Sequence, residues 1–319
     1  MKSRFAIERD LADGVFQVLT EGGVYVACQV VLATGALQKP RVPALAADLP
    51  APIAQVVPYE YRNPGQLPAG AVLIVGSGQT GCQIAEELVR SGRQVFLAMS
   101  RSWWLPRTYR GRNASAWLRS LGWMQRTAAE LPPGVRAGLL NPQLTGGDGG
   151  HDISAHTLAR EGVRLLGRLQ GIRDGKAFFA DDLAATVAWG DERARTVLRD
   201  IDEYIRQQAL DAPAEDWPHD LSGRGSSSLQ APLELNLAEV GVGTVIWATG
   251  YRPDLEWVGL PFLDADGYPI QQRGVTPIPG LYILGLDWLH TANSGLFSGI
   301  GEDAAYVAAR IADYAGIQR

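Results

Sequence analysis

Ala71-Val-Leu-Ile-Val75 is apolar at every position, the pattern of a strand buried on both faces. A glycine turn, Gly76-Ser-Gly-Gln-Thr-Gly81, follows it, and Cys82 to Arg90 then reads as an amphipathic helix. A second strand, Gln94 to Ala98, completes a strand–turn–helix–strand unit. Upstream, residues 5–34 alternate with period 2. Runs at Phe5–Arg9, Val15–Leu19 and Val24–Ala27, with turns at Ala12-Asp-Gly14 and Glu21-Gly-Gly23, predict a three-stranded antiparallel meander. A buried strand from Gln29 then ends in Ala33-Thr34-Gly35, and residues 44–69 form a Pro- and Ala-rich connector.

Downstream, Trp117, Leu118, Leu121 and Met124 recur at helical spacing and predict a helix over 113–132. Ser154 suits the N-cap of a helix running to about Leu169. Ile172–Ala180 predicts a hairpin, Asp181 the cap of a further helix, and Asp191–Leu210 a long amphipathic helix with Val197, Ile201, Tyr204 and Ile205 on its apolar face. Residues 211–230, with Gly225-Ser-Ser-Ser228, form a polar loop. A second Ala-Thr-Gly strand end stands at Ala248-Thr249-Gly250, just before Tyr251. A further strand ends in Gly285-Leu-Asp287, ahead of a glycine loop and a helix from Glu302 to Tyr314.

The glycine turn satisfies G-x-G-x-x-G in the context that gives the pattern meaning. Gly76 allows the tight turn, Gly78 lets the backbone approach a pyrophosphate, and Gly81 lets the helix pack close to the sheet. The helix start then offers free N–H groups and a positive dipole end to the phosphates. The end of the second strand separates the nicotinamide cofactors. An acidic residue there binds a ribose 2′-hydroxyl, but Ser100-Arg101 offers a hydroxyl and a guanidinium, which favour a 2′-phosphate and hence NADPH over NADH. The alternative for Arg101 is a solvated surface arginine.

At 319 residues the chain is long enough for two domains, and its 46% hydrophobic and 20% charged content is that of a globular protein. A net charge of −5 argues against nucleic-acid or membrane-surface binding. No apolar run reaches transmembrane length and the first residues lack a signal-peptide core, so the chain reads as cytoplasmic. The two cysteines, Cys28 and Cys82, are far apart, which excludes a C-x-x-C disulfide relay. Cys82 reads as a buried small residue rather than an activated thiol. The four histidines show no zinc spacing, and no metal site is expected.

Ser102–Arg112 interleaves Trp103, Trp104 and Tyr109 with Arg107, Arg110 and Arg112. These arginines stand either near a 2′-phosphate or in ordinary packing and solvated pairs. The loop 140–152 lacks the Lys-Ser/Thr of a P-loop. Asp148, His151 and Asp152 on it read as turn residues first and as substrate or cofactor contacts second.

Taken together, Ala33-Thr34-Gly35, Tyr61-Arg-Asn-Pro64, Gly76-Ser77-Gly78-Gln79-Thr80-Gly81, Ser100-Arg101, Ala248-Thr249-Gly250-Tyr251 and Gly285-Leu-Asp287 resemble flavin-containing monooxygenases, in particular the bacterial group labelled CzcO-like, and are similar to the plant YUCCA enzymes. The resemblance spans almost the whole chain. It implies an α/β fold with two dinucleotide-binding domains, a Rossmann-like NADPH domain inserted in a truncated FAD domain. The expected parts are 1–44 and 243–319 for FAD and 45–242 for NADPH, with 102–240 shaping the substrate cavity. By this likeness Ala33, Thr34, Gly35, Gly285 and Asp287 lie near FAD, and Gly76–Gly81, Ser100, Arg101 and Thr249–Tyr251 near NADPH.

The implied reaction passes hydride from NADPH to FAD and then activates O2 as a C4a-(hydro)peroxyflavin to oxygenate a small organic substrate, with no assigned catalytic side chain. The alternatives are a flavin-dependent NADPH reductase without oxygenation and a non-catalytic NADPH-binding protein. Oligomeric state stays open, a homo-oligomer included. Two departures stand out. The family opens with a glycine-turn βαβ unit for the FAD pyrophosphate, whereas this chain opens in the meander that follows that unit, so the chain is expected to be truncated or to have lost half its FAD site. The family often carries a His-bearing motif before Tyr-Arg-Asn-Pro, and here the His position falls at about Val57.

Overall fold

Each apolar residue of Ala71–Val75 is buried because the strand runs through the middle of a parallel sheet covered on both faces. The computed structural model describes residues 6–9, 14–130, 141–221 and 230–317. Phe5, Ala12 and Asp13 of the predicted meander, residues 131–132 of the predicted helix, and Gly225–Ser228 lie outside them.

In chain order the strands and helices begin with β1 (Ala6–Arg9), β2 (Phe16–Thr20), β3 (Gly23–Ala27), β4 (Val30–Leu32), β5 (Lys39–Pro40), β6 (Ala54–Val56), β7 (Ala71–Val75), α1 (Gln79–Arg90) and β8 (Val95–Ala98). They continue with β9 (Thr108–Tyr109), β10 (Arg112–Asn113), α2 (Ala114–Ser120), α3 (Ala155–Arg160), β11 (Arg164–Leu166), β12 (Leu169–Arg173), β13 (Lys176–Phe179) and α4 (Leu183–Gln207). The last are β14 (Glu234–Asn236), β15 (Val242–Trp247), β16 (Tyr251–Arg252), β17 (Leu281–Ile283) and α5 (Ile300–Ile317). The chain divides into two units, one from Met1–Pro40, Gly122–Val135 and Tyr251–Arg319, the other from Arg41–Leu121 and Arg136–Gly250. Among the described residues no helix is long and apolar enough to cross a membrane.

The second unit is built on a five-stranded sheet in the order β11-β8-β7-β15-β6, every neighbour parallel. Successive side chains of a strand point to opposite faces. Val72 and Ile74 therefore join Val95, Leu97 and Ile246 under Ile84 and Leu88 of α1, Leu158 of α3 and Val187 of α4. Ala71, Leu73 and Val75 join Phe96, Val245 and Trp247 on the other face, under Ile172, Ala177, Phe179 and Leu235. Those last residues belong to a small antiparallel sheet, β12-β13-β14, whose hairpin turns at Asp174 (φ 52°) and Gly175 (φ 72°). The sequence predicts that hairpin; β14 it leaves unread.

In the first unit the predicted meander forms as β1-β2-β3. β4 pairs in parallel with β17, so the Ala-Thr-Gly end and the Gly285-Leu-Asp287 end emerge at the same edge. Ile7, Phe16, Leu32, Phe262, Leu281 and Ile283 form the core of this unit.

Three helices differ from the sequence expectation by a turn or more. Ser154 does cap a helix, through a reciprocal capping box with Thr157, but α3 stops at Arg160 because Gly162 takes φ 101°. The residues expected to continue it become β11, whose apolar side chains complete the sheet beside β8. The helix expected over 113–132 ends at Ser120, before the left-handed Gly122 (φ 71°). The two helices expected from Asp181 and Asp191 are one 25-residue helix, α4, entered after Asp182. Gly190 sits inside it because a Cβ there would lie 2.6 Å from the Ser102 carbonyl oxygen, so the helix packs on the chain just beyond β8.

The next residue, Asp191, is buried and accepts from Trp104 Nε1 at 3.0 Å, with His156 Nε2 at 2.9 Å on its other oxygen. The Asp191 hydrogen bond lifts the His156 imidazole above its ordinary 6.5, against the cost of burial. Folded His156 thus holds its proton more tightly than the unfolded chain does. The pair contributes its full stability below pH 6.5 and loses it as pH rises through the raised folded-state value. Thermal unfolding of wild type and His156→Gln should show a gap in melting temperature that is full below pH 6.5 and narrows as the pH is raised above it. A gap that stays constant across that rise contradicts the assignment.

Candidate functional site

The carboxyl ends of β7, β8 and β15 open on a cleft of about 560 Å³ within the second unit. In an open parallel sheet, ligands bind outside these strand ends. Gly76, Gly78 and Gln79 form one wall, Ser100, Arg101 and Ser102 a second, and Ala248, Thr249 and Gly250 a third. Residues 141–143 and Arg168–Leu169 complete it.

The three glycines of the turn separate cleanly by what a side chain would meet. Gly76 has φ 107°, and a Cβ there would lie 2.4 Å from the Ala248 carbonyl oxygen. A Cβ on Gly81 would lie 2.0 Å from the Gly76 carbonyl oxygen. Both are required by the packing of the protein on itself. Gly78 is different: its φ is −70°, open to any residue, and a Cβ on it would meet nothing within 4 Å. Nothing among the described residues requires a glycine there. It stands at the N-cap of α1, where no side chain caps the first N–H groups.

Gln79 adds a second unfilled position. Its Oε1 accepts from the Leu144 amide at 2.7 Å, which fixes the side chain, while its buried Nε2 has no partner among the described residues. Ser77 behaves otherwise. It is fully buried; its hydroxyl donates to the Ser100 carbonyl oxygen at 2.9 Å, accepts from the Ser100 amide at 2.9 Å, and lies 3.1 Å from Ser102 Oγ. It therefore ties the glycine turn to the end of β8. Thr80 is exposed and, like Ser77 and Gly81, is outside the cleft lining.

Arg101 is exposed and lies over the Trp189 ring at 6.0 Å; among the described residues no carboxylate pairs with it. Thr249 Oγ1 donates to the Arg41 carbonyl oxygen, which closes the third wall. Tyr251 starts β16 and belongs to the first unit.

The remaining predicted residues also lie in the first unit. Ala33 and Thr34 are exposed beyond β4, and Gly35 has φ 76°. Gly285 has φ 80°, and desolvation raises the Asp287 carboxyl above the usual carboxylate range. The loop before α5 folds back on Asp287, so that a Cβ on Gly295 would lie 2.3 Å from its Oδ1.

Several other polar residues of the sequence reading have partners within the fold or stand outside the cleft lining. His151 Nε2 pairs with Glu86 at 2.6 Å and Asp152 accepts from the Arg107 amide at 2.6 Å, while the side chain of Asp148 lies outside the described residues. Arg110 pairs with Asp202 at 3.0 Å and Arg112 lies over Trp117 at 4.2 Å; neither they nor Arg107 line the cleft. Burial pushes the Cys82 thiol up to about 12, which removes it as a nucleophile at neutral pH. Tyr61 is buried and donates to Glu87 of α1 at 3.0 Å, so the Tyr-Arg-Asn-Pro segment anchors the connector.

Two cleft residues have no sequence signal. Gln143 is buried, and its Nε2 donates to the Ser77 carbonyl oxygen and reaches Cys82 Sγ at 3.1 Å. Arg168 reaches the cleft only because β11 pairs with β8, a pairing the helix expectation over 154–169 conceals.

Residues 6–126 match the family described as pyridine nucleotide-disulphide oxidoreductase. An uncharacterized CzcO-like oxidoreductase of Geobacillus kaustophilus is 31% identical over 299 residues, 92% of this chain and 68% of the relative. An uncharacterized CzcO oxidoreductase of Bacillus subtilis is 27% identical over 294 residues, 92% of this chain and 67% of the relative. Among solved structures, a flavin-containing monooxygenase of Stenotrophomonas maltophilia superposes with TM-score 0.58 at 14% identity, over 98% of this chain and 71% of that one, a likeness of fold. The fold is thus the α/β fold of flavoproteins with two dinucleotide-binding domains, and the chain belongs to the CzcO-like family of oxidoreductases.

Proposed function

We propose that the cleft at Gly76–Gly81 binds NADPH and that the chain belongs to an FAD-dependent enzyme that takes hydride from it. Gly78 carries this reading: none of the described residues packs against it, so the absent side chain leaves room for a pyrophosphate against the α1 N-terminus. Among the described residues Gln79 Nε2 has no partner and Arg101 no carboxylate, so the first supplies a donor beside it and the second charge for a 2′-phosphate. Thr34, Gly35, Gly285 and Asp287, at adjacent parallel strand ends, are the residues that would hold FAD, with Asp287 accepting from ribityl hydroxyls. When bound, the two cofactors supply hydride transfer and, with O2, oxygenation of a small organic substrate. The protein's part is to orient them and keep water out.

The apolar, buried Val57 at the position of the family's histidine favours a second reading, in which electrons pass to an external acceptor without oxygenation. Purified protein with added FAD should consume NADPH. Oxygenated product then supports the first reading, and consumption with an added acceptor but no oxygenation the second. A chain that neither binds nor consumes NADPH sinks both.

Two substitutions test the cleft by binding. Gly78→Ala should leave stability unchanged or raise it by ~0.5 kcal/mol, because its backbone suits alanine, yet weaken NADPH binding at least ~10-fold. Gly81→Ala should instead destabilise the fold by ~1–3 kcal/mol through overpacking. Titration calorimetry together with thermal melts separates the two, and equal stability losses at both positions contradict the distinction. Wild type should bind NADPH more tightly than NADH, and Arg101→Asp should reverse that order; an unchanged preference in the variant removes Arg101 from the site.

A further inference from the structure

Resting on the NADPH reading, we infer that Arg168 is a second specificity-determining residue, which grips the 2′-phosphate of the adenosine together with Arg101. β11 lies next to β8 and runs parallel to it, so the chain leaving β11 opens on the same edge as Ser100 and Arg101. Arg168 and Arg101 both line the cleft.

The backbone of Arg168 is tightly placed. Its amide donates to Asp182 Oδ1 at 2.9 Å, and its carbonyl oxygen accepts from the Ala180 amide at 2.9 Å. The preceding Gly167 permits this approach: a Cβ there would lie 1.9 Å from the Ala180 carbonyl oxygen. The guanidinium, by contrast, is loosely held. The side chain is 66% exposed, and its ion pair with Asp182 spans 3.8 Å. Such a pair contributes little, so the head group can swing into the cleft at small cost. A fixed base with a free head is the arrangement a clamp residue needs.

Charge gives the same answer. Arg101 has no carboxylate partner among the described residues, and Arg168 has only the distant Asp182. Two guanidinia on one cleft repel each other unless an anion lies between them. A phosphate accepts from both through paired N–H···O bonds, whereas a ribose hydroxyl leaves the charges uncompensated.

The test compares 2′,5′-ADP with 5′-AMP, which differ only in the 2′-phosphate, by titration calorimetry on the whole chain. Wild type should prefer 2′,5′-ADP. Arg168→Met should lower 2′,5′-ADP affinity ~10-fold and leave 5′-AMP affinity within about twofold. Arg168→Lys keeps the charge but not the planar fork and should retain part of the preference; it carries the test if the methionine variant folds poorly. Equal weakening of both nucleotides would place Arg168 on the adenosine and overturn the proposal, as would full retention of the preference in both variants. A wild type that binds neither nucleotide overturns the NADPH reading itself, and this proposal with it.

Discussion

Backbone contact between three elements, with no side chain between them, sets the geometry of the cleft. The Gly76 carbonyl presses against Gly81 of α1, and the Ala248 carbonyl presses against Gly76, at separations that a single methyl group would close. Interiors are packed too densely to absorb such a methyl without displacing backbone. The contact fixes how far the first turn of α1 stands above the sheet. It also brings the end of β15 against the glycine turn, so that Thr249 and Gly250 share the cleft with Gly78. The parallel sheet supplies the rigid base for this, with both faces of β7 in hydrophobic cores.

A buried polar network holds the rest of the cleft to that base. Ser77 bridges the turn to Ser100 by two hydrogen bonds, and Gln143 reaches the Ser77 carbonyl oxygen from a segment far along the chain. Leu144 fixes Gln79 through its amide. Buried polar groups are costly unless paired. These pairings bring residues 141–144 down onto the start of α1, and the unpaired donor of Gln79 is the exception among them. The same burial that keeps Cys82 protonated makes its sulfur a packing atom against Gln143.

The sequence was legible where one element alone carries the signal. The apolar run of β7, the glycine spacing, the alternation of β1 to β3 and the capping residue Ser154 all appear in the folded chain. It misled where a stop signal and an apolar pattern compete. Gly162 ends α3 after six residues, and the apolar residues that seemed to continue the helix instead fill the space beside β8. In α4 the reverse holds: the sequence predicts separate helices from Asp181 and Asp191, yet one helix runs through Gly190, which accommodates the chain at Ser102.

By itself the sequence determined the local conformations and the candidate nucleotide turn, because strand alternation, helix periodicity and left-handed glycines are properties of neighbouring residues. Only the tertiary structure decided which side chains face the cleft. Ser77 is consumed inside the fold, Arg107 is outside the cleft lining, and Arg110 and Arg112 are held by pairing or packing away from it, while Arg168 arrives from a strand whose existence depends on pairing with β8. The reason is physical: hydrogen bonds and packing between residues tens of positions apart determine what each side chain has left to offer, and no short stretch of sequence carries that information.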